Sequence, residues 1–210
     1  MSLLVAPLFD DVTIYSLQLA KSIEADERLE GRPILRKEYE AAVKDKQLLI
    51  FYDHGSEDTL WGTENQGILD LDNAETAPKE VYTMACLAGK SLGVALWRLG
   101  SVFWGYSDVF TFTTDSLKEF GEFAKNGLVK RREGASWTDA LKHTKTLGET
   151  LAAQLVEQGK YIASSALLSD VYALVCYNGE APGSQCTWRK LALKLFGRRG
   201  WNLITPRPLK

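Results

Sequence analysis

The chain alternates short, uninterrupted apolar runs with segments of helical spacing. Leu3–Ala6, Leu48–Tyr52, Glu80–Ala85 and Ser101–Tyr106 are runs of strand length, and continuous apolar runs suit parallel strands covered on both faces. Between them, Val12, Tyr15, Leu19 and Ile23 share one helical face behind a possible cap at Asp10 or Asp11, with Gly31 beyond the end. Pro33–Leu35 reads as a brief extended piece and Arg36–Lys46 as a second helix. Residues 57–79 are polar and loop-like, with room for a small hairpin turning at Gly62 and Gly67.

The second half is more helical. Leu92, Ala95, Leu96 and Leu99 form a stripe closed by Gly100, and Leu117, Phe120, Ala124 and Leu128 form another. A longer helix starts at Ser136, with Asp139 three residues on as in a capping box, and buries Trp137, Leu141, Thr144, Leu147, Leu151 and Leu155. Val171–Tyr177 reads as a last strand. Strands alternating with helices predict an α/β fold: a three-layer sandwich in which a mostly parallel sheet of about six strands carries helices on both faces. With no internal repeat or linker, one domain over 1–210 is expected.

Composition agrees with a globular α/β protein, with 45% hydrophobic and 25% charged residues. A net charge of -2 makes no case for nucleic acid or an anionic membrane as partner. No apolar run approaches membrane-spanning length, and the first residues lack the basic start of a signal peptide. The three cysteines, Cys86, Cys176 and Cys186, are an odd, sparse set without a C-x-x-C pair. They point to a reducing cytoplasm and give no support for a disulfide scaffold or a zinc site. No metal or cofactor is expected.

Two residues then acquire a chemical meaning. His54 follows the carboxyl end of one apolar run and Cys86 the carboxyl end of the next. If those strands are neighbours, about 5 Å apart, both side chains emerge on the edge where open α/β sheets place ligands. A thiolate is a nucleophile, and an imidazole beside it can take its proton and later protonate a leaving group. The N–H groups of Gly55 and Cys86 are candidate oxyanion donors. The helix after Cys86 predicts a thiol more acidic than usual. The competing reading is a cysteine that is merely packed at a strand end.

The stretch Leu48-Leu49-Ile50-Phe51-Tyr52-Asp53-His54-Gly55-Ser56, followed by Val81-Tyr82-Thr83-Met84-Ala85-Cys86-Leu87-Ala88-Gly89-Lys90-Ser91-Leu92-Gly93, resembles the caspase-like superfamily of cysteine peptidases. The likeness is to the bacterial gingipain and CHAT style in particular, and Val102-Phe103-Trp104-Gly105-Tyr106 resembles the strand after the nucleophile; together it covers roughly residues 3–112. The resemblance implies His54 as general acid/base, Cys86 as nucleophile and a thioester acyl-enzyme formed on a peptide or protein substrate. It implies a specificity pocket near Asp10 and Asp11, where a carboxylate would select Arg or Lys; the alternative for both is a helix cap, and Asp108 is a further pocket candidate. Asp53 departs from the small residue usual before the histidine; strand alternation turns it away from His54, which predicts a structural role.

Two other functions compete with an endopeptidase: a degenerate caspase-like interaction module, and a cysteine acyltransferase or amidase using the same pair. His143 is expected on an exposed helical face, Cys176 in the core and Cys186 in a loop. The basic tail, with Arg189, Lys190, Lys194, Arg198 and Arg199 beside Trp188 and Trp201, is expected to be a solvated face. The oligomeric state is not legible.

Overall fold

A computed structural model describes residues 1–179. Its centre is a six-stranded sheet made of β1 (Ser2–Ala6), β2 (Glu27–Glu30), β3 (Leu48–Tyr52), β6 (Glu80–Met84), β7 (Val102–Tyr106) and β8 (Leu174–Tyr177), in the order β2-β1-β3-β6-β7-β8. Every pairing is parallel except β7 with β8, which is antiparallel. A separate antiparallel hairpin joins β4 (Thr59–Thr63) and β5 (Gln66–Asp70), inside the segment read as loop with room for a hairpin.

The apolar runs are continuous because both faces of the sheet are covered. Successive strand residues point to opposite sides. Leu4, Ile50, Tyr52, Tyr82, Met84 and Trp104 join one core, while Leu3, Val5, Leu49, Phe51, Val81 and Phe103 join another. Helices α1 (Thr13–Ala20), α4 (Leu117–Arg132), α5 (Trp137–Glu157) and α6 (Tyr161–Ala173) supply the first core. Helices α2 (Arg36–Val43) and α3 (Leu92–Arg98), with the hairpin, supply the second. The fold is therefore α/β, with a mostly parallel six-stranded sheet between helices. The buried phenols of Tyr52 and Tyr82 both donate to the Ala124 carbonyl, at 2.8 and 2.6 Å, and so fix α4 against the sheet.

Several expectations are corrected. The second strand is Glu27–Glu30, not a piece at Pro33–Leu35; it is a polar edge strand, and its pairing with β1 rather than hydrophobicity makes it a strand. Helix α1 buries Thr13, Ser16, Leu19 and Ala20 and leaves Val12 exposed, so its inward face is rotated from the expected stripe. Val171–Ala173 is helical, and only Leu174–Tyr177 is strand. Helix α6 was not anticipated; it is apolar around much of its circumference and shows no stripe to read, with Tyr161, Ile162 and Tyr172 exposed. Ser136 caps α5 as expected, accepting from the Asp139 N–H at 3.1 Å. His143 is exposed, and Cys176 is half-buried on β8 against the first core. Cys186 and the basic tail lie outside the described residues.

Candidate active site

Strands β1, β3, β6 and β7 are consecutive neighbours and run parallel. The loops after their carboxyl ends therefore share one edge. Those loops carry Asp10, His54, Cys86 and Asp108 in that order along the sheet.

The His54 and Cys86 loops are bound to each other. A Cβ on Gly55 would lie 2.8 Å from Ala85 Cβ and 3.0 Å from the Cys86 carbonyl oxygen, so only glycine permits this approach. The Glu57 carbonyl accepts the Ser91 and Leu92 N–H groups at 3.1 and 2.8 Å, and Lys90 pairs with Glu57 at 3.1 Å. Beyond Cys86 the chain turns sharply: Leu87 has φ 61°, the only non-glycine residue with positive φ among the described residues. Such a conformation costs roughly 1–3 kcal/mol and persists where surrounding contacts impose it. Here the Leu87 N–H is held by the Asp108 carbonyl and the Gly89 N–H by the Tyr106 carbonyl. Among the described residues, no hydrogen bond from the Gly55 or Cys86 N–H to another residue is made.

His54 is partnered by Asp10, not by Cys86. Its Nε2 lies 2.9 Å from Asp10 Oδ2, its ring is tilted against Phe9 at 5.8 Å, and its side chain is 39% exposed. The other oxygen of Asp10 accepts from the Val12 and Thr13 N–H groups at 2.9 and 2.8 Å, while Thr13 Oγ1 accepts from the Asp10 N–H. This reciprocal exchange anchors the start of α1. Burial works against ionisation of Asp10, but the Thr13 and Val12 N–H groups and then His54 outweigh it, and its carboxyl sits below the usual value. Asp10 is therefore both the cap and the partner of His54. Asp11, the other pocket candidate, is exposed in the turn.

Among the described residues, Asp53 makes no hydrogen bond to the imidazole. It is 3% exposed, one oxygen accepts the His54 N–H at 2.6 Å, and the other has no hydrogen-bond partner among the described residues. Burial, joined by the Asp10 charge, raises its carboxyl to about 8.

The expectation of an acidic thiol is overturned. Burial pushes the Cys86 thiol up and outweighs the lowering contact with the Phe110 backbone, while the Asp170 and Asp108 charges add smaller upward contributions. The helix does not help, because α3 begins only at Leu92 and its leading N–H groups are taken by Glu57. Cys86 Sγ lies 3.8 Å from the Phe110 carbonyl oxygen, and no hydrogen bond joins it to His54. Phe110, Asp170 and Leu87 were missed by the sequence reading. Asp170 sits far along the chain in a helix without a visible pattern, so no local motif marked it.

Among the described residues, no group of three or more His, Cys, Asp or Glu converges to hold a metal ion, and no helix is long and apolar enough to cross a membrane. The chain matches no protein-family model, no curated protein and no solved structure.

Proposed function

We propose that the protein is a cysteine peptidase of caspase-like type, with Cys86 as nucleophile, His54 as general acid/base and Asp10 orienting His54. The observation that carries this reading is the packing of the His54–Gly55 turn directly against Ala85–Cys86, with Asp10 bonded to the imidazole. Nucleophile, base and orienting acid then come from three adjacent strand ends, the set of roles that acyl transfer uses.

In the reaction, Cys86 Sγ attacks the substrate carbonyl carbon and its proton passes to His54. The Gly55 and Cys86 N–H groups receive the oxyanion. His54 returns the proton to the departing amine as the C–N bond breaks, and water then cleaves the thioester. The imidazolium formed on the way is stabilised by the Asp10 carboxylate. The exposed Asp108 carboxylate, whose charge reaches Cys86, favours a substrate with Arg or Lys before the cut bond.

A second reading has its own observation. The thiol is raised and not bonded to His54, which suits an inactive interaction module of the same fold. Labelling the full chain with peptidyl acyloxymethyl ketones, together with cleavage of a fluorogenic peptide library, separates the two. The peptidase reading expects covalent capture at Cys86 that is abolished in Cys86→Ala, and turnover lowered by about two to four orders of magnitude in His54→Ala. Absence of both capture and cleavage across the library supports the inactive module.

A further inference from the structure

Asp170 is a buried carboxyl that the mechanism does not use. It lies in the last turn of α6 and is 0% exposed. The negative end of a helix dipole and the loss of water both disfavour a carboxylate there. Burial holds its carboxyl up at about 8. One oxygen accepts the Thr111 N–H at 2.9 Å, and the other has no partner among the described residues. A group so costly to bury is informative through what it holds.

It holds the segment that covers Cys86. Residues 107–112 leave β7 and pass over the Cys86 turn, contacting it twice: the Leu87 N–H donates to the Asp108 carbonyl, and the Cys86 thiol meets the Phe110 carbonyl. The start of the segment is tied to α6 through Ser107, whose N–H and hydroxyl both donate to the Ala173 carbonyl at 2.8 and 3.0 Å. Among the described residues, the hydrogen bond that ties Thr111 to the same helix is the one its N–H donates to the Asp170 side chain. Between these ties, the Phe110 ring is buried against Tyr106 at 4.9 Å and against Phe120 at 6.4 Å.

We infer that Asp170 is a positioning residue for Cys86: by gripping Thr111 it keeps the Phe110 backbone over the thiol, so that the site rests in a covered form. Engagement of Cys86 with His54 then requires this segment to shift. The inference regulates the site proposed above and rests on Cys86 being its working thiol.

Alkylation of Cys86 by iodoacetamide in the full chain, followed by peptide mass spectrometry across a pH series, tests it without any need for turnover. Asp170→Ala removes the grip and is expected to speed labelling at pH 7 by roughly tenfold, the worth of about one hydrogen bond. Asp170→Asn keeps an acceptor for the Thr111 N–H and is expected to label within about twofold of wild type at pH 7. Above pH 8 the same variant lacks the charge that faces Cys86 and Tyr106, leaving Asp108 as the nearby anion, and its labelling profile moves to lower pH. A purely structural role would not produce that displacement. Equal labelling of wild type and folded Asp170→Ala overturns the inference, as does an Asp170→Asn variant that opens as far as the alanine. Should Asp170→Ala lose its cooperative melt, Thr111→Pro removes the same hydrogen bond from the other side, and unchanged labelling there is equally fatal. A chain that cleaves no peptide yet shows the expected labelling pattern loses the peptidase reading and keeps this one.

Discussion

Asp10 Oδ2 and His54 Nε2 lie 2.9 Å apart, joining the loop after β1 to the loop after β3. The same carboxylate caps α1 through Thr13 and Val12. One side chain therefore fixes both the start of a helix and the direction of the imidazole.

These two duties separate on mutation. Asp10→Asn retains an equally good cap, so its melting point stays close to wild type. Without the carboxylate the imidazolium loses its stabilising charge, and turnover falls by at least roughly tenfold. Asp10→Ala loses the cap as well and is destabilised by about 1 kcal/mol. Melting curves beside steady-state rates for the two variants check this; an Asp10→Asn enzyme with full activity contradicts the orienting role.

Gly55→Ala places a methyl group 2.8 Å from Ala85 Cβ and 3.0 Å from the Cys86 carbonyl, and the turns must move apart. The expected cost is about 1–3 kcal/mol, with activity lost although His54 and Cys86 are both present. Trimming the opposing methyl in Gly55→Ala/Ala85→Gly relieves only the first of the two contacts, so it restores part of the stability. Denaturant melts of the single and double variants measure the difference.

Leu87→Gly relieves the left-handed backbone after Cys86, whereas a β-branched residue cannot adopt it readily. Leu87→Gly is expected to melt at or above wild type, and Leu87→Ile to lose roughly 1–3 kcal/mol. Equal melting of the two would contradict the strain.

Asp53 governs a pH dependence of definite sign. In the unfolded chain its carboxyl releases a proton near pH 3.9, whereas in the fold it holds the proton to about 8. Between those values the folded state binds more protons, so stability falls as pH rises and levels off above about 8. Asp53→Asn removes this contribution. Chemical denaturation from pH 4 to 8 should show the wild type losing roughly 2 to 5 kcal/mol relative to the variant across that window. Parallel curves would place the burial cost of Asp53 elsewhere.

Much of the frame was legible in the residues. Leu48–Tyr52 and Glu80–Ala85 read as strands because their apolar side chains have a covered face to occupy, and the structure places strands at Leu48–Tyr52 and Glu80–Met84. The sequence reading placed His54 and Cys86 at one edge on the condition that their strands are neighbours, and the parallel pairing of β3 with β6 meets that condition. Glu27–Glu30 and α6 were not legible, because neither carries an alternating or helical stripe. The first is held by a neighbour's backbone and the second by packing.

The sequence by itself determined the alternation of strands and helices and the strand ends that bear His54, Gly55 and Cys86. These follow from periodicities of two and 3.6 residues, which are local properties of the backbone. Only the tertiary structure decided that Asp10 belongs to His54, that the Phe110 carbonyl meets Cys86, and that burial, with a smaller addition from Asp170, raises the thiol rather than leaving it acidic. Those outcomes depend on burial and on charges brought together from remote parts of the chain. Desolvation and Coulomb interaction act through space, so no local pattern encodes them.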